Sequence, residues 1–351
     1  MPDRAEPAPA AFDVAESDVA EFDVAAFDVA EFDVVGIGNA LVDVIAHADD
    51  AFLGVHDLVK GSMTLIETER AVALYRALGS AVEMSGGSAA NTMCGVVSFG
   101  GRAAYIGKVS DDELGQVFGH DLRAVGVAFR AGAPDAEIPT GRCIIVVTPD
   151  AQRTMNTYLG VSSLLCLPDI DQRTVAAGKV LYMEGYLYDR PAAKEAFRGA
   201  AHVAHAHGRQ VSLTLSDSFC VDRHRADFRA LVADEVDILF GNEDELMSLY
   251  EVDNFDAAVA AVRADSVLAA ITRGSRGSVI VTADDVLEVV AEDVDQVLDT
   301  TGAGDLFASG FLYGYTQGLP LTECGRLGSV AAAEVISHVG ARPLVDLAKL
   351  A

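Results

Sequence analysis

Positive charge is scarce in this sequence. Twenty-five Lys and Arg stand against 53 Asp and Glu, a formal net charge of -28 at pH 7. Nucleic acid and anionic membrane surfaces repel so acidic a chain, so neither is an expected partner. Cysteine is sparse as well: Cys94, Cys143, Cys166, Cys220 and Cys324 are widely scattered, with no Cys-x-x-Cys pair. An odd count without metal-ligand spacing points to reduced thiols and a cytoplasmic protein. No apolar run is long enough to span a bilayer. The first residues lack the basic start and continuous apolar block of a secretory signal. What the chain does have is apolar bulk: 51% of its 351 residues are hydrophobic, enough for one large domain or two smaller ones with a sizeable core.

The most informative stretch lies late in the chain, Asp299-Thr300-Thr301-Gly302-Ala303-Gly304-Asp305. Residues 286–298 before it read as strand and loop, and residues 306–313 after it read as a buried helix. A glycine-rich turn therefore opens a helix. The first N–H groups of a helix have no partner within it, and the helix dipole adds partial positive charge there. Gly302 and Gly304 let the main chain approach a ligand closely. Such a turn is a site for an anion, most naturally a phosphate. Asp305 stands in the first turn, where the dipole favours its charged form. An anion hole beside a carboxylate suits phosphoryl transfer, the hole steadying the group in flight and the carboxylate taking the proton of the attacking hydroxyl. A plain capped turn would use Asp299 or Thr300 as cap and the glycines for geometry alone.

The seven-residue string resembles the C-terminal signature of the ribokinase-like (pfkB) family of carbohydrate and nucleoside kinases, Asp-Thr-x-Gly-Ala-Gly-Asp. Two stretches nearer the start are similar to the same family. Gly36-Ile37-Gly38-Asn39-Ala40-Leu41-Val42-Asp43 follows a strand and matches a Gly-x-Gly-Asn-x-x-x-Asp opening. A dinucleotide-binding loop would also begin Gly-x-Gly, but it needs a third glycine where Leu41 stands, then a helix. Residues 42–46 read as strand instead. Ser85-Gly86-Gly87-Ser88-Ala89-Ala90-Asn91, ahead of a small-residue helix, resembles the family's Gly-Gly signature. The resemblance runs from about residue 32 to the end. No Gly-x-x-x-x-Gly-Lys-Ser/Thr loop is present.

The resemblance implies an α/β fold: a ribokinase-like three-layer α/β/α domain with a mostly parallel central sheet and a small β-sheet lid, the lid drawn from about 40–66 and 138–160. Alternating strands and helices from residue 179 onward argue independently for a parallel sheet. The implied reaction is ATP-dependent phosphorylation of a hydroxyl on a furanose. Asp305 is the implied base. Gly302, Ala303 and Gly304 are expected to hold the transferred group by their amides, and Arg153, just after a hairpin turn, is expected to stabilise it. Asn39, Asp43, Gly86, Gly87 and Asn91 are the expected substrate contacts. A carboxylate such as Asp43 can hold two adjacent ribose hydroxyls. Thr272, Gly274, Gly277 and Thr301 are expected at ATP. Asn242 and Glu245, one helical turn apart, are expected to organise Mg2+ through its waters, although an N-cap with an acidic first turn satisfies them equally.

Adenosine is the expected acceptor, with a role in purine salvage, and a sugar such as ribose or fructose or another nucleoside the runner-up. The partners expected are this small molecule and ATP, in a cytoplasmic monomer or homodimer. Residues 1–31 form a separate expectation. Ala11-Phe12-Asp13-Val14-Ala15 recurs with small changes every five residues, ending in Glu31-Phe32-Asp33-Val34-Val35. A period of five matches neither strand nor helix, and the segment is strongly acidic, so it reads as a low-complexity, disordered tail ahead of a kinase domain at 32–351.

Overall fold

The computed structural model describes residues 30–135, 137–150, 152–265 and 268–351. All but Ala30 and Glu31 of the expected repeat tail falls outside the described residues.

A strand buried on both faces needs an almost continuous apolar string, and the first strand, β1 (Phe32–Ile37), has one: all six residues are buried. Among the described residues thirteen more strands follow, β2 (Leu41–His47), β3 (Met63–Leu65), β4 (Ala81–Gly86), β5 (Ala103–Gly107), β6 (Ala128–Ala131), β7 (Gly141–Val147), β8 (Arg153–Tyr158), β9 (Gly178–Glu184), β10 (Gln210–Thr214), β11 (Ile238–Asn242), β12 (Leu268–Thr272), β13 (Ser278–Val281) and β14 (Val286–Val289). Nine of them form one sheet in the order β14-β13-β12-β11-β10-β9-β1-β5-β6. From β6 to β12 every pairing is parallel, and the hairpin β13–β14 closes one edge antiparallel.

Helices cover both faces. Phe197, Phe228, Leu246 and Val262, from four successive helices, pack on one side. Met93, Phe118 and Phe311, from the helices Ser88–Ser98, Glu113–Ala124 and Ala303–Thr316, pack on the other. This is the three-layer α/β/α arrangement expected. In sheets of this kind, ligands sit beyond the carboxyl ends of the strands, and the turn after β1 leads straight to that edge. Gly36 and Gly38 let β1 lie close to its neighbours. A Cβ on Gly36 would come within 2.9 Å of Met93, and one on Gly38 within 2.2 Å of the Glu184 carboxylate.

After Gly38 the chain turns and enters β2, a strand and not a helix. β2 belongs to a second sheet, β3-β8-β7-β2-β4. Ala81–Gly86 adds a strand to that sheet, beyond the 40–66 and 138–160 anticipated, pairing antiparallel with β2. One face of the second sheet, with Val42, Val44, Ile144 and Val146, joins the main core. Ile45, Cys143, Ile145, Val147 and Met155 make a small apolar cluster on the other face.

Local departures have local causes. The helix Ser218–Asp234 starts where it does because Asp217 caps it, accepting from the Cys220 amide at 2.6 Å. His224 leaves helical geometry inside it, which breaks the sequence periodicity. Lys108, which reads as a surface turn residue, is instead buried and paired with Asp169 at 2.8 Å.

Candidate active site

Asp305 is the third residue of the helix Ala303–Thr316, whose cap is Gly302. Gly302 holds φ at 80°, and a Cβ there would meet Ala341 at 2.8 Å, so glycine is required twice over. Ala303 N–H donates to Thr300 O at 3.2 Å, and Leu306 N–H to Gly302 O at 2.8 Å. The amides of Gly302, Gly304 and Asp305 have no acceptor among the described residues. A Cβ on Gly304 would meet nothing within 4 Å, so the space before it is open. Ala303 thus has to be removed from the set of free donors: its amide is spent on the turn.

The Asp305 carboxylate accepts from Ser88 Oγ at 2.5 Å and from Asn91 Nδ2 at 3.0 Å. Both donors lie on the first turns of the helix Ser88–Ser98, which Gly87 opens. Burial pushes the Asp305 carboxyl up, while these two hydrogen bonds and the positive charge of Arg342 pull it down. Asp43 is near: it senses Arg342, Arg153 and Asp305, and burial raises its carboxyl to about 6. Gly86 and Gly87 permit the close contacts here. Their Cβ atoms would lie 2.5 Å from the Asp43 carboxylate and 2.3 Å from Asn39 O.

Two expected substrate contacts face elsewhere. Asn39 is 1% exposed; its amide donates to Glu184 Oε1 at 3.0 Å and its carbonyl accepts from Ser162 Oγ at 3.0 Å. Asn91 donates to Asp305 and accepts from Arg342 Nε at 3.1 Å. Each fixes a neighbour and leaves little for a ligand. Arg153 on β8 pairs with Asp299, which also accepts from the Thr301 amide at 3.0 Å, the Thr301 hydroxyl at 2.7 Å and the Gly340 amide at 2.9 Å. The Thr301 hydroxyl, expected at ATP, therefore donates within the loop.

Farther along the sheet edge, Asn242 and Glu245 close on each other. Asn242 Oδ1 accepts from the Glu245 amide at 2.9 Å, and Glu245 accepts from the Asn242 amide at 3.0 Å and from its side chain at 2.5 Å. This is a complete capping box, and burial raises the Glu245 carboxyl to about 7. Thr272 pairs with Asn242 across β11 and β12. Gly274, at φ 59°, faces open space. Gly277 does not: a Cβ would lie 2.0 Å from Val289 O, so its part is to close the hairpin onto β14.

The profile of the pfkB family carbohydrate kinases matches residues 59–347. The chain belongs to that family. The structure of an adenosine kinase from Sinorhizobium meliloti superposes with a TM-score of 0.84 at 52% identity, covering 92% of this chain and 98% of that one. A probable sugar kinase from Rhizobium etli gives 0.85 at 49% identity, with the same coverages. An uncharacterized sugar kinase of Archaeoglobus fulgidus is 30% identical over 254 residues, 71% of this chain and 96% of that protein. This pfkB kinase is a phosphotransferase of the adenosine-kinase-like kind, acting on a small molecule with ATP. Among the described residues no helix is long and apolar enough to cross a membrane.

Two residues of this pfkB site have no role assigned from sequence, Glu184 being singled out there only as a strand-end residue. Glu184, at the end of β9, binds the Asn39 side chain and, at 2.9 Å, the Ala89 amide, tying the β1–β2 turn to the helix Ser88–Ser98. Burial lifts its carboxyl to about 7. Arg342 sits in the loop after the last long helix. Neither has a local motif; only Glu184's place at a strand end was a signal. Among the described residues no group of three or more His, Cys, Asp or Glu is arranged to hold a metal ion. Both oxygens of Glu245 already accept a hydrogen bond from Asn242, and the side chain is buried.

Proposed function

We propose that the chain transfers the terminal phosphoryl group of ATP to the 5′-hydroxyl of adenosine, giving AMP and ADP. The carrying observation is Asp305, a carboxylate held by two donors beside open amides at a helix start. The acceptor hydroxyl gives its proton to Asp305 as its oxygen bonds to phosphorus, and the bond to the ADP oxygen breaks. The amides of Gly302 and Gly304 steady the transferred group, with the Asp305 amide beside them. Arg153, which pairs with Asp299 beside this turn, is the side-chain cation assigned to the transferred group. Thr272 and Gly274 line the approach of ATP. Asn242 and Glu245 would hold magnesium through its waters, and the ion would supply charge to neutralise the phosphates.

The preference for a nucleoside comes from the second sheet, read as a lid. By register, Asp43, Ile45, Val82, Met84, Cys143, Ile145, Met155 and Arg153 share one face. Asp43 suits a ribose diol, and the apolar side chains beside it suit the face of a purine, which a bare sugar lacks. The Sinorhizobium relative supports the same choice. A sugar acceptor is the second reading, favoured by the Rhizobium relative and by an Asp43 able to hold any vicinal diol. Rates with adenosine, inosine, ribose and fructose, measured side by side with ATP, test this. Adenosine is expected to have the highest kcat/KM by more than about tenfold; a sugar in that place overturns the reading.

We also propose a self-sufficient kinase domain at 32–351, in a cytoplasmic monomer or homodimer. Removing residues 1–30 should leave melting temperature and kcat unchanged.

A further inference from the structure

Arg342 is drawn in from the far end of the chain. Its Nε donates to Asn91 Oδ1 at 3.1 Å, across 251 residues of sequence. Gly302 packs against Ala341, which brings the next residue alongside the signature turn. We propose that Arg342 is a positioning residue for the proton-accepting carboxylate: it orients Asn91, and through Asn91 it fixes Asp305 and balances its charge. The inference rests on the reading of Asp305 as base.

An asparagine side chain has a carbonyl on one side and an amide on the other. With its carbonyl held by Arg342, Asn91 must turn its amide to Asp305 Oδ2, where it donates at 3.0 Å. Turned the other way, it would set a carbonyl oxygen against a carboxylate. Arg342 Nη2 is buried without a hydrogen-bond partner. A buried donor left unsatisfied is a poor device for stability, and such groups need another reason to be present. Here the reason is charge. Asp305 is faced by Asp43 from β2, by Glu184 and Tyr182 from β9, and by Tyr186 just after it, all of which sense its charge. Ser88 and Asn91 face it from their helix. Among the described residues, Arg342 is the cation that acts on Asp305.

The test is the pH profile of kcat at saturating nucleoside, where the titration of a binding group such as Asp43 falls in KM instead. Arg342→Gln should raise the acid limb by about one pH unit, so that kcat falls by up to about tenfold at pH values below the limb and recovers above it. Arg342→Lys, which keeps the charge, should leave the limb within about half a unit of its place. KM for the nucleoside should change less than about threefold in both. An unmoved limb in Arg342→Gln, or a loss equal at every pH, overturns the inference. If Arg342→Gln does not fold, Arg342→Met, of similar length and without charge, carries the same expectation and the same refutation. Asp305→Asn is measured alongside. If it keeps its turnover, the base reading has failed; if it is inactive while Arg342→Gln has a normal profile, only the role of Arg342 has.

Discussion

Asp305 and Glu245 occupy the same rung of two different helices. Each is the third residue after the cap, at the carboxyl edge of the main sheet. Yet one is closed and the other open. Asn242 caps its helix, and Glu245 reaches back to complete a reciprocal box. Gly302 has no side chain with which to cap, and Asp305 does not reach back to the Gly302 amide as a capping box would require. It turns to Ser88 and Asn91 instead, and the amides of Gly302 and Gly304 stay bare. One residue type at the cap decides whether an acidic first turn is a stability element or a reactive one.

The largest expected break in this comparison is Asp305→Asn. It should bind adenosine and ATP nearly normally and lose turnover by roughly a thousandfold or more. Retention of most of kcat in a steady-state assay refutes the difference. Gly302→Asn comes next, because it places a potential cap where the open helix has none. It also drives a Cβ into Ala341, so kcat should fall about ten- to a hundredfold, read together with the melting temperature to separate misplacement from unfolding. Glu245→Gln should matter least to the reaction. It weakens the box, lowering the melting temperature by about 2–4 °C, with kcat at saturating ATP and magnesium falling less than about tenfold. A loss matching that of Asp305→Asn would erase the distinction.

A smaller effect sharpens it. Asp43, Glu184 and Glu245 are raised to about 6, 7 and 7 by burial. A carboxyl whose folded value lies above its unfolded one favours folding at low pH, and that contribution is lost as pH climbs through the folded value. The lowered carboxyls, such as Asp33 and Asp169, act below pH 4, outside this window. The melting temperature should therefore drop by about 3–6 °C between pH 5 and pH 8. Glu184→Gln should flatten the slope, and an unchanged slope would put the titration elsewhere.

The strands and the two glycine signatures were legible because they rest on local pattern. Apolar runs give buried strands, alternation gives the parallel sheet, and Gly-x-Gly before an apolar helix gives a bare helix start. Orientation was not legible. Asn39 and Asn91 look like ligand contacts in the string, but each spends its side chain on a partner far away in sequence. Glu184 and Arg342 carry no motif at all, since what defines them is a partner 145 or 251 places distant. Ala303 fell to a plainer cause, a turn that consumes its own amide.

The repeats ahead of β1 pose a problem of choice, for several copies of Phe-Asp-Val compete to be the strand. Gly36 and Gly38 resolve it. Were the chain to thread one repeat late, Glu31 would stand where Gly36 does and Asp33 where Gly38 does. One side chain would then be forced into Met93, and a second carboxylate would be thrust onto Glu184. The missing side chains act as a lock with a single key, admitting the last copy and turning away those before it.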